Sequence, residues 1–273
     1  MQLVMFTKSV KDKSVDELIT LAHDMGLEGY DLCVRPEYPI NPDNAGAELT
    51  KAVRTLKGDG LAVPMVTGNF DLLLPDHPTA EPILGAMDAA DVRLIKLGYF
   101  DFDPLKQDYW QEVDRIRTAF EGWAKLGEKH NVKICYHTHC GPLMGRNAGM
   151  MAHLVQGFDP RHIGTYMDPS HLVVEGEAFE HAIAIVKEYL SIIGLKDVIL
   201  TREEKSGHGS AVPHFIAAGQ GIVDWTAVFA ELVRIGFDGP MSIHCEHEVA
   251  PDEYLAALKH EVTFFKSIRA AAT

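Results

Sequence analysis

The chain has 273 residues, of which 47% are hydrophobic and 23% charged, and its formal net charge is -14. That composition excludes a disordered or fibrous chain and supplies enough apolar material for a sizeable core. The negative excess repels phosphate backbones and anionic surfaces, so neither nucleic acid nor membrane is an expected partner, and a small molecule is.

The four cysteines, Cys33, Cys135, Cys140 and Cys245, form no CxxC pair and are expected to be reduced thiols. The opening residues Met1-Gln2-Leu3-Val4-Met5-Phe6 lack a basic stretch followed by a long apolar one, and no apolar run approaches about 18 residues. A cytoplasmic protein is expected.

Taken in chain order, short apolar runs alternate with longer amphipathic segments. The predicted strands are "QLVMFTK" from Gln2, "GYDLCV" from Gly29, "LAVPMVTG" from Leu61, "VRLIKLG" from Val92, "VKICYHT" from Val132, "HIGTYMD" from His162, "LSIIGLKD" from Leu190 and "GPMSIHCE" from Gly239. Between them, Ser14-Val15-Asp16-Glu17 is a capping box for a first helix stopped at Gly26. Trp110, Val113, Ile116, Phe120 and Trp123 recur at helical spacing, as do Leu255, Leu258, Val262 and Phe265. Asp224 caps a helix that ends before Gly236.

Eight strand–helix pairs predict an α/β fold, a single-domain (β/α)8 TIM barrel over residues 1–273 with its site at the carboxyl ends of the strands. The segment from Val198 to Gly221 reads as a long irregular loop that overhangs this site. "GQGIVDW", with two glycines before a capped helix, lacks the Lys-Ser/Thr of a phosphate loop and reads as a tight turn.

The predicted strand ends collect Lys8, Arg35, Asn69, Lys96, His137 with His139, Asp168 with His171, Lys196 with Asp197, and His244 with Glu246. Ionisable groups are costly to bury without partners, so this recurrence points to a common polar pocket. His137, Asp168, His244 and Glu246 are ligand types suited to one divalent ion, Mn2+, Co2+, Fe2+ or Zn2+. Taken singly, His137 reads equally as a satisfied core histidine and His139 as a loop donor. Lys96 and Lys196 read either as oxyanion stabilisers or as partners of neighbouring carboxylates, and Arg202 either as a substrate contact or as part of a solvated charge run.

"GLEGYDLCVRP", "YHTHCG", "MDPSHLVVEGE", "LKD", "GQGIVDW" and "GFDGPMSIHCEHE" occur in the order and spacing of one barrel, and the chain resembles the xylose isomerase-like TIM-barrel superfamily, the sugar phosphate isomerase/epimerase group, over its whole length. The resemblance implies a metal held by a fifth-strand Glu, a sixth-strand Asp, a seventh-strand His and an eighth-strand Glu. Asp168 matches, His171 matches a sugar-contacting histidine, His137 and His244 replace the glutamates, and Gly194 stands where the histidine belongs.

What the resemblance implies is a divalent-metal-dependent sugar or keto-sugar isomerase or epimerase that abstracts a proton next to a carbonyl. Glu246 is the expected base, His137 or His139 the second acid/base, and His171, Lys96, Lys196 and Arg202 the expected substrate contacts. A lyase or dehydratase using the same first step is the alternative, followed by a non-catalytic sugar-binding barrel; the endonuclease branch lacks its ligand count and basic surface here. Apolar residues on the outer helices are compatible with a homo-oligomer.

Overall fold

Eight strand ends lie within reach of one another only if the alternation closes on itself, and it does. In the computed structural model, which describes residues 1–273, β1 (Gln2–Phe6), β2 (Gly29–Cys33), β3 (Ala62–Thr67), β4 (Leu94–Lys96), β5 (Lys133–His137), β6 (Ile163–Met167), β7 (Leu190–Leu195) and β10 (Pro240–Ile243) form a closed parallel barrel. The β1–β10 register, from Gln2↔Pro240 to Met5↔Ile243, joins the first strand to the last.

The helices are α1 (Val15–Met25), α2 (Ala45–Gly58), α3 (Ala80–Ala89), α4 (Tyr109–His130), α5 (Ala148–Val155), α6 (Pro169–Val174), α7 (Phe179–Val186), α8 (Trp225–Arg234) and α9 (Tyr254–Ala272). The first is bracketed as its sequence requires: Ser14 and Glu17 exchange both capping-box hydrogen bonds, and Gly26 takes the left-handed φ of 72° that ends the helix.

Strand alternation sorts the side chains into two populations. Leu3, Met5, Ile193, Leu195, Met241 and Ile243 face the helices and join the main core. Met65, Cys135, Tyr166 and Ile192 pack as a separate small cluster that fills the barrel interior. Above it the inward positions turn polar, and Asp31 accepts hydrogen bonds from Thr67 Oγ1 (2.7 Å) and Ser242 Oγ (2.9 Å) across the barrel.

The expected irregular loop is instead an ordered hairpin. β8 (Asp197–Lys205) pairs antiparallel with β9 (His208–Ile216), in register from Asp197↔Ile216 to Lys205↔His208, around Gly207 at φ 82°. Thr201, Val212 and Phe215 give the segment strand character that its charged residues obscured. Asp197 fastens its base, accepting from the N–H groups of Gly219 (2.9 Å) and Gly221 (3.1 Å).

"GQG" is therefore the tight turn expected, and a carboxylate of the protein itself takes up its N–H groups. A Cβ on Gly221 would overlap that carboxylate. Gly221→Ala is expected to destabilise the fold by roughly 1–3 kcal/mol, measured by urea unfolding.

Candidate active site

The carboxyl end of the barrel opens into a cleft of about 410 Å³, its mouth included. Its wall comprises Phe6, Lys8, Arg35, Thr67, Phe70, Lys96, Tyr99, His137, His139, Tyr166, Lys196, His244 and Glu246. Glu246 is the one carboxylate on its surface.

Its central feature is an ammonium ion between two carboxylates. Lys196 Nζ lies 3.3 Å from Asp168 Oδ2 and 3.0 Å from Glu246 Oε2. The Lys196 side chain is only 4% exposed and that of Asp168 is fully buried. Burial works against the Lys196 charge, but Asp168 and Glu246 outweigh it and raise the lysine above its ordinary value. Burial likewise opposes both carboxylates, and the Lys196 ammonium more than compensates, holding each well below the usual carboxylate range.

Local sequence positions both acids. Asp168 is the N-cap of α6: its Oδ1 accepts from the N–H of Ser170 (2.9 Å) and of His171 (3.4 Å), Pro169 follows it, and Oδ2 is left facing the site. Ser170 Oγ donates to the Lys196 carbonyl and so ties the start of α6 to the end of β7 beside the ion pair. At β10, Cys245 takes a left-handed φ of 47°, which breaks the strand alternation, yet Glu246 still turns back to the pocket, where Lys8 Nζ approaches it at 2.5 Å.

Three buried imidazoles surround this core. His137 shares a hydrogen bond between Nδ1 and Tyr99 Oη (2.7 Å), stacks on Tyr166 at 4.1 Å, and points Nε2 at Asp168 Oδ2 from 3.5 Å. His171 approaches the same oxygen from 3.7 Å, while His244 bonds Tyr166 Oη through Nε2 (2.6 Å) and faces Glu246 through Nδ1 at 3.4 Å. Burial keeps His137 and His171 neutral and, with Lys196 nearby, pushes His139 down to about 4.

Lys96 differs from Lys196 in having no carboxylate beside it. Burial first, and then the Arg35 guanidinium, lower it well below the ordinary lysine value, and its Nζ sits 3.7 Å from the centroid of the Tyr99 ring.

The four expected metal ligands do not form one coordination sphere. They form two pairs, His137 with Asp168 and His244 with Glu246, and Lys196 stands between them. The seventh-strand position cannot complete the sphere as the structure stands, because a Cβ on Gly194 would lie 2.8 Å from Asp168 Oδ2. A divalent ion shared by these residues would have to take the place of Lys196, so they do not fit that group in this arrangement.

The other expected residues divide clearly. Lys8, Arg35, Lys96, His139 and Lys196 reach the cleft, and His171 lies directly behind it. Arg202, expected as a substrate contact, does not: β8 carries it into solvent, outside the cleft wall, where it pairs with Glu204 at 2.5 Å. Asn69 bonds Asp71 instead of entering the pocket.

Sequence reasoning missed Asp31, Tyr99, Cys140 and the hairpin residue Phe215, whose ring lies 5.6 Å from that of His171 and 4.7 Å from Lys196 Nζ. An acid inside the apolar run "GYDLCV" was a legible signal for the first. The others follow segments whose path only the fold defines.

A family model described as "Xylose isomerase-like TIM barrel" matches residues 19–268. The chain belongs to this family. An inosose dehydratase of Geobacillus thermodenitrificans (strain NG80-2) is 27% identical over 165 residues, 57% of this chain and 54% of the relative. One of Lacticaseibacillus casei is 26% identical over 176 residues, 61% of this chain and 58% of the relative. The match thus spans little more than half the length of these relatives.

Among solved structures, D-psicose 3-epimerase from Clostridium cellulolyticum H10 superimposes with a TM-score of 0.74 at 15% identity, covering 98% of this chain and 99% of that one. The IOLI protein, solved with a zinc atom, does so at 0.71 and 13%, covering 100% and 98%. At these identities the likeness is one of fold.

Removing the central cation leaves the fully buried Asp168 without an ammonium partner, while Lys8 still pairs with Glu246, so Lys196→Met is expected to cost about 3–5 kcal/mol in unfolding free energy at neutral pH. Depressed carboxylates contribute stability above their ordinary range near pH 4 and lose it as pH falls. A raised lysine contributes below about pH 10.5 and loses it as pH climbs. The penalty is therefore expected to be full between about pH 5 and 10 and to shrink below pH 4, which denaturant titrations across pH would measure.

Proposed function

We propose that the protein is an enzyme that removes a proton next to the carbonyl of a small carbohydrate ketone, and that the enediolate so formed is reprotonated, giving an epimer or isomer, or expels a β-hydroxyl. The observation that carries this reading is the imbalance of the pocket: Lys8, Arg35, Lys96 and Lys196 line it against the single carboxylate of Glu246. A pocket of that kind favours oxygen that becomes negative in the transition state.

In this reading Lys196 is the electrophile and Glu246 the base. At rest Lys196 suppresses the basicity of Glu246. A substrate carbonyl that accepts a hydrogen bond from Lys196 competes for that donor, so polarising the substrate and freeing the base are the same event. The Tyr99–His137 pair, on the cleft wall, serves as the proton donor to the opposite face or to a departing hydroxyl. Asp168 and His171 hold Lys196 and the imidazoles in place.

The dehydratase branch is favoured by the inosose dehydratases among the relatives, and the epimerase branch by the sugar epimerases among the structural neighbours. The zinc atom of the IOLI neighbour supports a divalent cation in a protein of this fold. The carbohydrate itself is the expected partner.

Incubation with keto-sugars and keto-inositols in D2O separates the branches. Deuterium at carbon without loss of water marks an epimerase or isomerase, whereas an unsaturated product marks a dehydratase. Glu246→Gln is expected to lower kcat by about a hundred- to ten-thousand-fold in either case. Ligand binding with neither exchange nor elimination would instead mean a sugar-binding barrel.

A further inference from the structure

We propose that His139, Cys140 and His171 form a binding site for one thiophilic divalent cation of the zinc class, beside the Lys196 ion pair and separate from it. One ligand atom from each of the three residues lies within 4.8 Å of the other two. The expected ligands His137, Asp168, His244 and Glu246 form no such group.

The hydrogen-bond pattern already prepares these atoms for a metal. His171 Nδ1 lies 3.1 Å from Cys140 Sγ. With His171 neutral, the thiol S–H donates to Nδ1, and the ring proton resides on Nε2, which faces Asp168 Oδ2 at 3.7 Å without a hydrogen-bond partner. A cation entering the cluster takes the place of the proton shared by Sγ and Nδ1, which leaves to solvent, and bonds form from the metal to the thiolate sulfur and to the imidazole nitrogen.

The outer nitrogens are oriented as they are in metal sites. Asp168 stands behind His171, and His139 directs Nδ1 to the carbonyl of Cys140 at 2.7 Å, which leaves its Nε2 free. Carboxylate and backbone carbonyl partners of this kind fix the tautomer of a ligating histidine. The rings of His139 and His171 lie 3.9 Å apart, and the Phe215 ring lies edge-on to His171 at 5.6 Å.

The donor set decides the class of ion. One thiolate and two imidazoles favour Zn2+ or Co2+ over the hard ions Mg2+, Ca2+ and Mn2+. Three protein ligands leave a fourth tetrahedral position, and because His139 also lines the cleft, a water or substrate hydroxyl can reach it from there.

The test is a titration of the full-length, metal-stripped protein with Co2+, read by absorption. The expected result is one equivalent bound, with tetrahedral d–d bands and a near-ultraviolet thiolate-to-cobalt charge-transfer band, displaced by Zn2+. Cys140→Ser is expected to abolish the charge-transfer band, and His139→Ala to weaken binding by at least about tenfold. Cobalt bound without the thiolate band, the band persisting in Cys140→Ser, or no binding at all would each overturn the proposal. The readout needs no turnover, so it stands or falls independently of the proposed reaction.

Discussion

Burying Lys196 between Asp168 and Glu246 is the constraint on which the barrel mouth depends, because three charges in so little solvent persist only while all three are present. The neighbouring architecture serves that arrangement. Asp168 gives one oxygen to the start of α6 and the other to the site, and Ser170 ties the Lys196 backbone to the same turn. Gly194 has no side chain because the Asp168 carboxylate occupies the space beside it. A change at any of these positions reaches the ion pair before it reaches a ligand.

The same constraint reverses the local charge. A protein with a formal net charge of -14 presents, at the end of its strands, a cleft lined by four basic side chains and one carboxylate. Asp168 supplies the balancing carboxylate from below, held ionised against burial by Lys196. The outer surface repels large anions, while the cleft favours negative charge that develops on a small one.

Set against the family pattern that the sequence resembles, the site is a rearrangement. With imidazoles at His137 and His244 and no side chain at Gly194, the positions associated with a shared metal become two acid–imidazole pairs bridged by an ammonium. The residues with mutual metal-binding distances are displaced to His139, Cys140 and His171. Fold likeness at 13–15% identity therefore carries the barrel across to this chain but not the coordination sphere.

The sequence by itself determined the barrel and the identity of most cleft residues. Each strand–helix unit carries local signals, such as the Ser14 capping box and the Gly26 stop, and the inward-facing side chains at the ends of the barrel strands collect at one common mouth. His137, His139, Lys96, Lys196, His244 and Glu246 were legible for that reason. Only the tertiary structure decided their pairing, since which of two lysines meets a carboxylate depends on ångström-scale distances between strands far apart in sequence. It also decided the hairpin, where cross-strand partners eight or more residues apart carried Arg202 into solvent and Phe215 to His171. Cys140, a residue without a motif, acquired a chemical context when β5 and α6 met.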